Sequence, residues 1–232
     1  MWRFFLILLL NFSLLSAAAG QQDKDSQPLR PKVALVLSGG GVKGAAHVGL
    51  LKAVEEAGLP VDLVVGTSMG AIVGGLYAMG YSPEQLDSLF RSQDWRFILS
   101  DKAERSNLSI GEREKSGRYL LSVPFSRSGK SDIGGFLRGQ NLKNLLTRLT
   151  VGYHDSISYD RLPIPFACVA TNLSNGQEIV FRSGVPAMSI RASMSIPGVF
   201  TPVKYGGMTL VDGGLVNNFP VDVARALGAD IV

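Results

Sequence analysis

Cysteine occurs once in this 232-residue chain, at Cys168, which excludes an intramolecular disulfide and a cysteine-rich zinc site. Histidine occurs twice, at His47 and His154, so chemistry that needs an imidazole has two candidates. An excess of one charge is also lacking. The 23 Lys and Arg against 19 Asp and Glu leave +4, scattered too thinly to indicate nucleic acid as a partner. There is no low-complexity tract and no internal repeat. With 46% hydrophobic and 18% charged residues, the composition is that of a packed globular core and excludes disordered, collagen-like and coiled-coil classes.

Long apolar runs are missing everywhere except at the start. Met1 to Gly20 places Arg3 before the run Phe4 to Leu15, then Ala17, Ala18, Ala19 and Gly20, the layout of a secretory signal peptide. The run is shorter than the ~20 residues that span a bilayer, so cleavage near Ala19 or Gly20 is favoured over a retained anchor. Residues 21–31 are polar, contain Pro28 and Pro31, and read as a linker. Residues 32–232 read as the folded domain. The stretch 100–132 mixes Lys and Arg with Asp and Glu and is the most loop-like part, a solvated loop or a contact for anionic lipid.

Within that domain short apolar runs alternate with helical stretches, the pattern of an α/β fold with a mostly parallel sheet. Val33 to Leu37 reads as a strand, followed by Ser38-Gly39-Gly40-Gly41 and a helix from about Val42 to Ala57 that Gly58 closes. Leu63-Val64-Val65 is a second strand, turning at Gly66-Thr67-Ser68-Met69-Gly70 into a helix over Ala71 to Met79. Ser82 as N-cap and Pro83 at the first helical position start another helix. Further on, Asn141 to Leu149 and Pro186 to Ile196 read as helices, Ile164 to Ala170 and Glu178 to Phe181 as strands, and Val203 to Asp212 as a hairpin about Gly206-Gly207. Asn218-Phe219-Pro220 introduces a last helix ended by Gly228. Asp230-Ile231-Val232 begins a strand, so the domain reads as C-terminally incomplete.

Chemistry concentrates in glycine-bearing turns. Gly66 and Gly70 flank Ser68 on a strand-to-helix turn, the setting of a nucleophile elbow: small neighbours permit the tight backbone, and the hydroxyl lies at the positive end of the next helix. Gly39, Gly40, Gly41 and Gly44 form a second such turn, whose amides suit an anion, either a phosphate or the oxyanion of an acyl transfer. A dinucleotide fingerprint fails because Asp62 precedes its strand, and a nucleoside-triphosphate loop fails because Ala45 follows Gly44. The third turn, Asp212-Gly213-Gly214, offers a carboxylate at a strand end as a proton acceptor.

The scarcity of histidine bears on these turns. His47 lies inside the first helix and His154 in a loop, both read as structural or surface residues, and no histidine follows Asp212. The usual Ser, Asp, His order of α/β-hydrolases is absent, and a two-residue Ser-Asp device remains. Lys43 adds positive charge near the glycine turn or is a solvated helix lysine. Two other classes stay open: a nucleotide- or phosphate-binding α/β protein, and a catalytically silent lipid-binding domain.

Taken together, Ser38-Gly39-Gly40-Gly41-Val42-Lys43-Gly44, Gly66-Thr67-Ser68-Met69-Gly70 and Asp212-Gly213-Gly214, in this order and spacing, resemble the patatin-like phospholipases. Gly139-Gln140-Asn141, Ala170-Thr171-Asn172-Leu173 and the block from Arg191 to Phe200 agree, and the resemblance covers about Lys32 to Val232. It implies a three-layer α/β/α fold with a mostly parallel central sheet and a lipid acyl hydrolase of phospholipase A type. By the resemblance Ser68 is the nucleophile, Asp212 the base, and Gly39, Gly40, Gly41 and Gly44 the oxyanion turn. No metal or organic cofactor is needed, and the partners are a phospholipid or other acyl lipid and a membrane surface. Ser38 departs from plant members, which carry aspartate there. The leader and the open end look like the secreted bacterial branch in which such a domain precedes an outer-membrane barrel, with the chain exported to the periplasm, outer membrane or medium.

Overall fold

The computed structural model describes residues 30–101 and 137–232. The leader, the linker up to residue 29, and the polar stretch beyond Asp101 lie outside the described residues.

Two strand–turn–helix units open the domain. Strand β1 (Ala34–Leu37) leads through a 3-10 turn (Gly41–Ala46) into α1 (His47–Glu56), and β2 (Leu63–Thr67) leads directly into α2 (Met69–Ala78). The single helix predicted from Val42 therefore begins as a 3-10 turn. Gly44 is buried there against the Met69 side chain, and no side chain caps the turn. Helix α3 (Pro83–Ser92) starts as the sequence predicts: Ser82 Oγ accepts from the Gln85 amide, and Gln85 Oε1 accepts from the Ser82 amide.

The rest of the chain supplies α4 (Trp95–Ile98), α5 (Gln140–Leu149), β3 (Ile157–Ser158), β4 (Phe166–Asn172), β5 (Gln177–Phe181), β6 (Ser183–Gly184), α6 (Pro186–Ser193), β7 (Val203–Tyr205), β8 (Met208–Asp212) and α7 (Val221–Ala226). Helix α6 stops at Ser193, three residues short of the predicted end. The residue before a proline is driven out of the helical region, and Pro197 applies that constraint to Ile196. The turn between β7 and β8 holds Gly206 and Gly207 at φ +55° and +78°, the pair of positive values a two-residue hairpin turn of this hand demands.

The main sheet is mixed. Strands β1, β2 and β4 pair in parallel, while β5 and β8 each pair antiparallel with β4, and β7 antiparallel with β8. Thus β1, β2, β4 and β7 run one way and β5 and β8 the other. Ile231 adds a parallel bridge to Val33.

Both faces of the sheet are covered, which explains why β2 and β4 are apolar without alternation. Val64, Phe166, Cys168 and Ala170 face a large core shared with α1, α2, α3, α5 and α6. Val65, Ala167 and Val169 face a smaller core with Val223 and Ala224 of α7. The result is three layers, α/β/α. Helix α2 is buried at all ten positions. Its glycines make this closeness feasible: a Cβ on Gly74 would lie 2.8 Å from Val64 Cγ1, and one on Gly75 would lie 2.8 Å from Ile190 Cδ1.

One register decides where the chemistry sits. Strand β4 pairs with β2 through residues 166–169, with β8 through 170–172, and with β5 through 168–172. Since β5 overlaps both partners, it must occupy the opposite edge of β4, and β2 and β8 share one edge. They run in opposite senses and meet end to end: Thr67 is opposite Val169, and Asp212 is opposite the next residue, Ala170.

Two glycine substitutions separate packing from tolerance. A Cβ on Gly70 would collide with the Leu37 carbonyl, a backbone group that cannot swing aside, whereas Gly49, on the exposed side of α1, has nothing within 4 Å. Gly70→Ala is expected to yield little folded protein. Gly49→Ala is expected to raise stability by about 0.5–1 kcal/mol through its helix preference, as read by thermal melts.

Candidate active site

Ser68 sits between β2 and α2 with φ 55° and ψ −120°, the only non-glycine residue with positive φ among the described residues. Such a backbone costs on the order of 1–3 kcal/mol and persists only where its surroundings over-determine it. A serine in this N-cap position usually turns its hydroxyl onto the helix amides. Here it makes no cap. Instead the Ser68 hydroxyl donates to Asp212 Oδ2 at 2.7 Å.

Asp212 ends β8 and is held on every side. Its amide donates to the Ser195 carbonyl (2.9 Å), its carbonyl accepts from the Thr171 hydroxyl (3.0 Å), and its Oδ1 accepts from the Gly214 amide (2.7 Å). With Ser68 and Asp212 only 3% and 7% exposed, their contact is shielded from bulk water. Burial pushes the Asp212 carboxyl above the ordinary carboxylate range, against the pull of the Gly214 amide and the Ser68 hydroxyl. The carboxylate is thereby a better proton acceptor than an exposed one.

The glycine turns divide their work. Gly66 and Gly213 let neighbouring backbones approach: a Cβ on Gly66 would lie 2.5 Å from the Gly70 carbonyl oxygen, and one on Gly213 would collide with the Val169 carbonyl. Gly214 leaves room beside the carboxylate, since a Cβ there would lie 3.0 Å from Asp212 Oδ1. In the first turn the four glycines are not equivalent. The Gly39 amide donates to the Asn218 carbonyl (3.1 Å), so it is engaged away from any bound substrate, and Gly44 packs on Met69. Gly40 and Gly41 border open space, Gly41 at φ +56°. Of the predicted four-glycine oxyanion turn, the Gly39 amide is thus already bonded to a carbonyl.

Neither histidine approaches the pair through a hydrogen bond in the structure. His47 Nε2 donates to the Ser38 carbonyl (2.9 Å), bracing the turn from behind, and His154 is exposed.

Three partners escaped the sequence reading. Ser193 Oγ accepts from the Ser68 amide (2.8 Å) and donates to the Val169 carbonyl (2.6 Å). Arg191, buried over the Phe200 ring, donates to Ser195 Oγ (2.6 Å) and to the Arg138 carbonyl (3.0 Å). Asn218 links the first and third turns: its carbonyl takes the Gly39 amide, and its side-chain oxygen packs against the α-carbon of Gly214. The block from Arg191 to Phe200 stood out in the sequence, yet nothing local marks Ser193 and Asn218 as neighbours of residues over a hundred positions away, or Arg191 as a neighbour of Arg138.

Known proteins carry the same arrangement of sequence. A patatin-like phospholipase domain-containing protein of Caenorhabditis elegans is 36% identical over 202 residues, covering 86% of this chain and 13% of that protein. Lysophospholipase NTE1 of Pyricularia oryzae is 31% identical over 206 residues, covering 86% of this chain and 12% of that protein. The chain thus spans only a small part of these relatives. Among solved structures, VipD from Legionella pneumophila shares the fold at TM-score 0.52 and 16% identity, over 81% of this chain and 47% of that one. The sequence model described as patatin-like phospholipase matches residues 35–225. That stretch runs from β1 into α7 and takes in both the strained serine and the carboxylate it meets, and the chain belongs to the patatin-like phospholipase family.

Proposed function

We propose that the domain is a lipid acyl hydrolase in which Ser68 attacks a carboxylic ester and Asp212 is its base. The observation that carries this reading is the 2.7 Å contact between Ser68 Oγ and Asp212 Oδ2 beside the open Gly40-Gly41 turn. Asp212 Oδ2 takes the hydroxyl proton as Ser68 Oγ bonds to the ester carbonyl carbon. The amides of Gly40 and Gly41 hold the oxyanion, and the N-terminus of α2 adds positive potential at the reacting oxygen. Collapse of the tetrahedral intermediate expels the alcohol, which takes the proton from Asp212, and leaves an acyl-enzyme. Water, deprotonated by the same carboxylate as it adds to the acyl carbon, gives a second tetrahedral intermediate, whose collapse releases the fatty acid as Ser68 Oγ takes the proton back from Asp212.

The substrate class is a phospholipid or lysophospholipid, supported by the family and by the name of the Pyricularia relative. The surroundings suit an apolar substrate. Val42, Leu215, Val216 and Phe219 are each at least half exposed, on the glycine turn and on the segment that follows Asp212. This rim is the face we assign to a membrane surface. The leader read at residues 1–20 supports export to the periplasm, outer membrane or medium.

Covalent labelling by a fluorophosphonate tests the nucleophile directly. The wild type is expected to label and to hydrolyse a short-chain ester, Ser68→Ala to do neither, and Asp212→Asn to lose turnover. His47→Ala and His154→Ala, once folded, should retain it. A labelled Ser68→Ala protein would end the assignment.

Acid should inactivate the enzyme. The working base is the ionised carboxylate, so kcat/KM is expected to fall as pH drops through a midpoint above the ~4 of an ordinary aspartate. Stability runs the other way. Because folded Asp212 keeps its proton to higher pH than the unfolded chain does, its contribution is greatest below the unfolded pKa and is lost as pH rises through the folded one. Melts of Asp212→Asn should gain on the wild type across that window.

The rim makes a separate prediction. Replacing Leu215 and Phe219 by serine should lower turnover of phospholipid in vesicles several-fold and leave hydrolysis of a soluble short-chain ester nearly unchanged. Equal losses on both substrates would remove the membrane-facing role.

A further inference from the structure

The last residue of α6 points a hydroxyl into the interior at the place where β2 and β8 meet. Ser193 is fully buried, and its hydroxyl makes two hydrogen bonds, one as acceptor and one as donor. It accepts the amide of Ser68 at 2.8 Å and donates to the carbonyl of Val169 at 2.6 Å. Val169 is the register partner of Thr67, the residue before the elbow, and the next residue on β4 pairs with Asp212. One hydroxyl therefore ties the nucleophile's main chain to the strand that sets the spacing of the dyad.

We infer that Ser193 is a positioning residue whose hydroxyl holds Ser68 in the positive-φ conformation from which Oγ reaches Asp212. This rests on the reading of Ser68 as the nucleophile. The Ser68 amide lies just past the end of β2, and being buried it requires an acceptor. No main-chain carbonyl takes it; the Ser193 oxygen does. Helical serines ordinarily bond back to the carbonyl four residues earlier, but Ser193 spends its proton across the interface on β4. The following turn treats the base in the same way, since the Ser195 carbonyl accepts the Asp212 amide at 2.9 Å. The end of α6 thus grips both members of the pair by their backbones and touches neither reacting oxygen.

Without the Ser193 hydroxyl the buried Ser68 amide loses its acceptor, and relaxation toward negative φ carries Oγ away from the carboxylate. A misplacement of about 1 Å at a reacting group costs on the order of 10²-fold in rate. A residue that only packed would change stability and leave the rate of the folded fraction untouched.

The test compares wild type, Ser193→Ala and Ser193→Thr for fluorophosphonate labelling and for p-nitrophenyl ester hydrolysis, each corrected for folded protein by circular dichroism. For Ser193→Ala, labelling rate and kcat are expected to fall between tenfold and a hundredfold with KM within about threefold. Ser193→Thr, which keeps the hydroxyl, should recover at least part of the rate. If Ser193→Ala does not fold, Ser193→Cys preserves the volume with only a weak sulfur partner and should show the same loss of kcat. Folded Ser193→Ala or Ser193→Cys labelling at the wild-type rate would overturn the inference and leave the dyad standing. A wild type that neither labels nor hydrolyses would instead overturn the assignment of Ser68.

Discussion

A single hydrogen bond, from the Ser68 hydroxyl to the Asp212 carboxylate, joins positions 144 residues apart, and the arrangement of the sheet brings those two positions together. Strand β4 carries β2 and β8 end to end on one edge, running toward each other. Consecutive residues of β4 therefore face the last residue of β2 and the last residue of β8. A slip of one residue in either pairing would turn one of the two side chains to the opposite face of the sheet.

The site is assembled from groups that each oppose stability. Ser68 has a strained backbone and forgoes its own helix cap, and Asp212 is a carboxylate largely withdrawn from water. The scaffold around them is conventionally packed: α2 is buried along its whole length, and β2 and β4 are covered on both faces. Backbone strain and a buried carboxylate coincide where the chemistry requires them. The strain is held in place by directional contacts, the Ser193 hydroxyl on the elbow and the Gly214 amide on the carboxylate, that cannot slide as apolar packing can.

The elements that announced themselves in the sequence were those with a local cause. Gly39 to Gly41, Gly66 and Gly70 punctuate apolar runs, Ser82 and Pro83 mark a helix start, and Gly206-Gly207 demands a tight hairpin. Helix α4 has four residues, and β3 and β6 have two each, too short to express a period. The 3-10 start of α1 was missed because it depends on Gly44 packing against Met69 from the next unit. Gly39 looked equivalent to Gly40 and Gly41 until Asn218, 179 residues away, took its amide.

The sequence by itself determined which residues had the right chemistry and the right local backbone. It placed a serine between glycines at a strand end, amides free of side chains one unit earlier, and an aspartate before two glycines, with no histidine after it. These properties are local, set by φ preferences and by periodicities of two and 3.6 residues. Only the tertiary structure decided which of them meet. Ser193 reaches Ser68, Asn218 reaches Gly39 and β4 reaches β2 across more than a hundred residues of chain, and a hydrogen bond a few ångströms long has no signature in a sequence whose parts become neighbours only on folding.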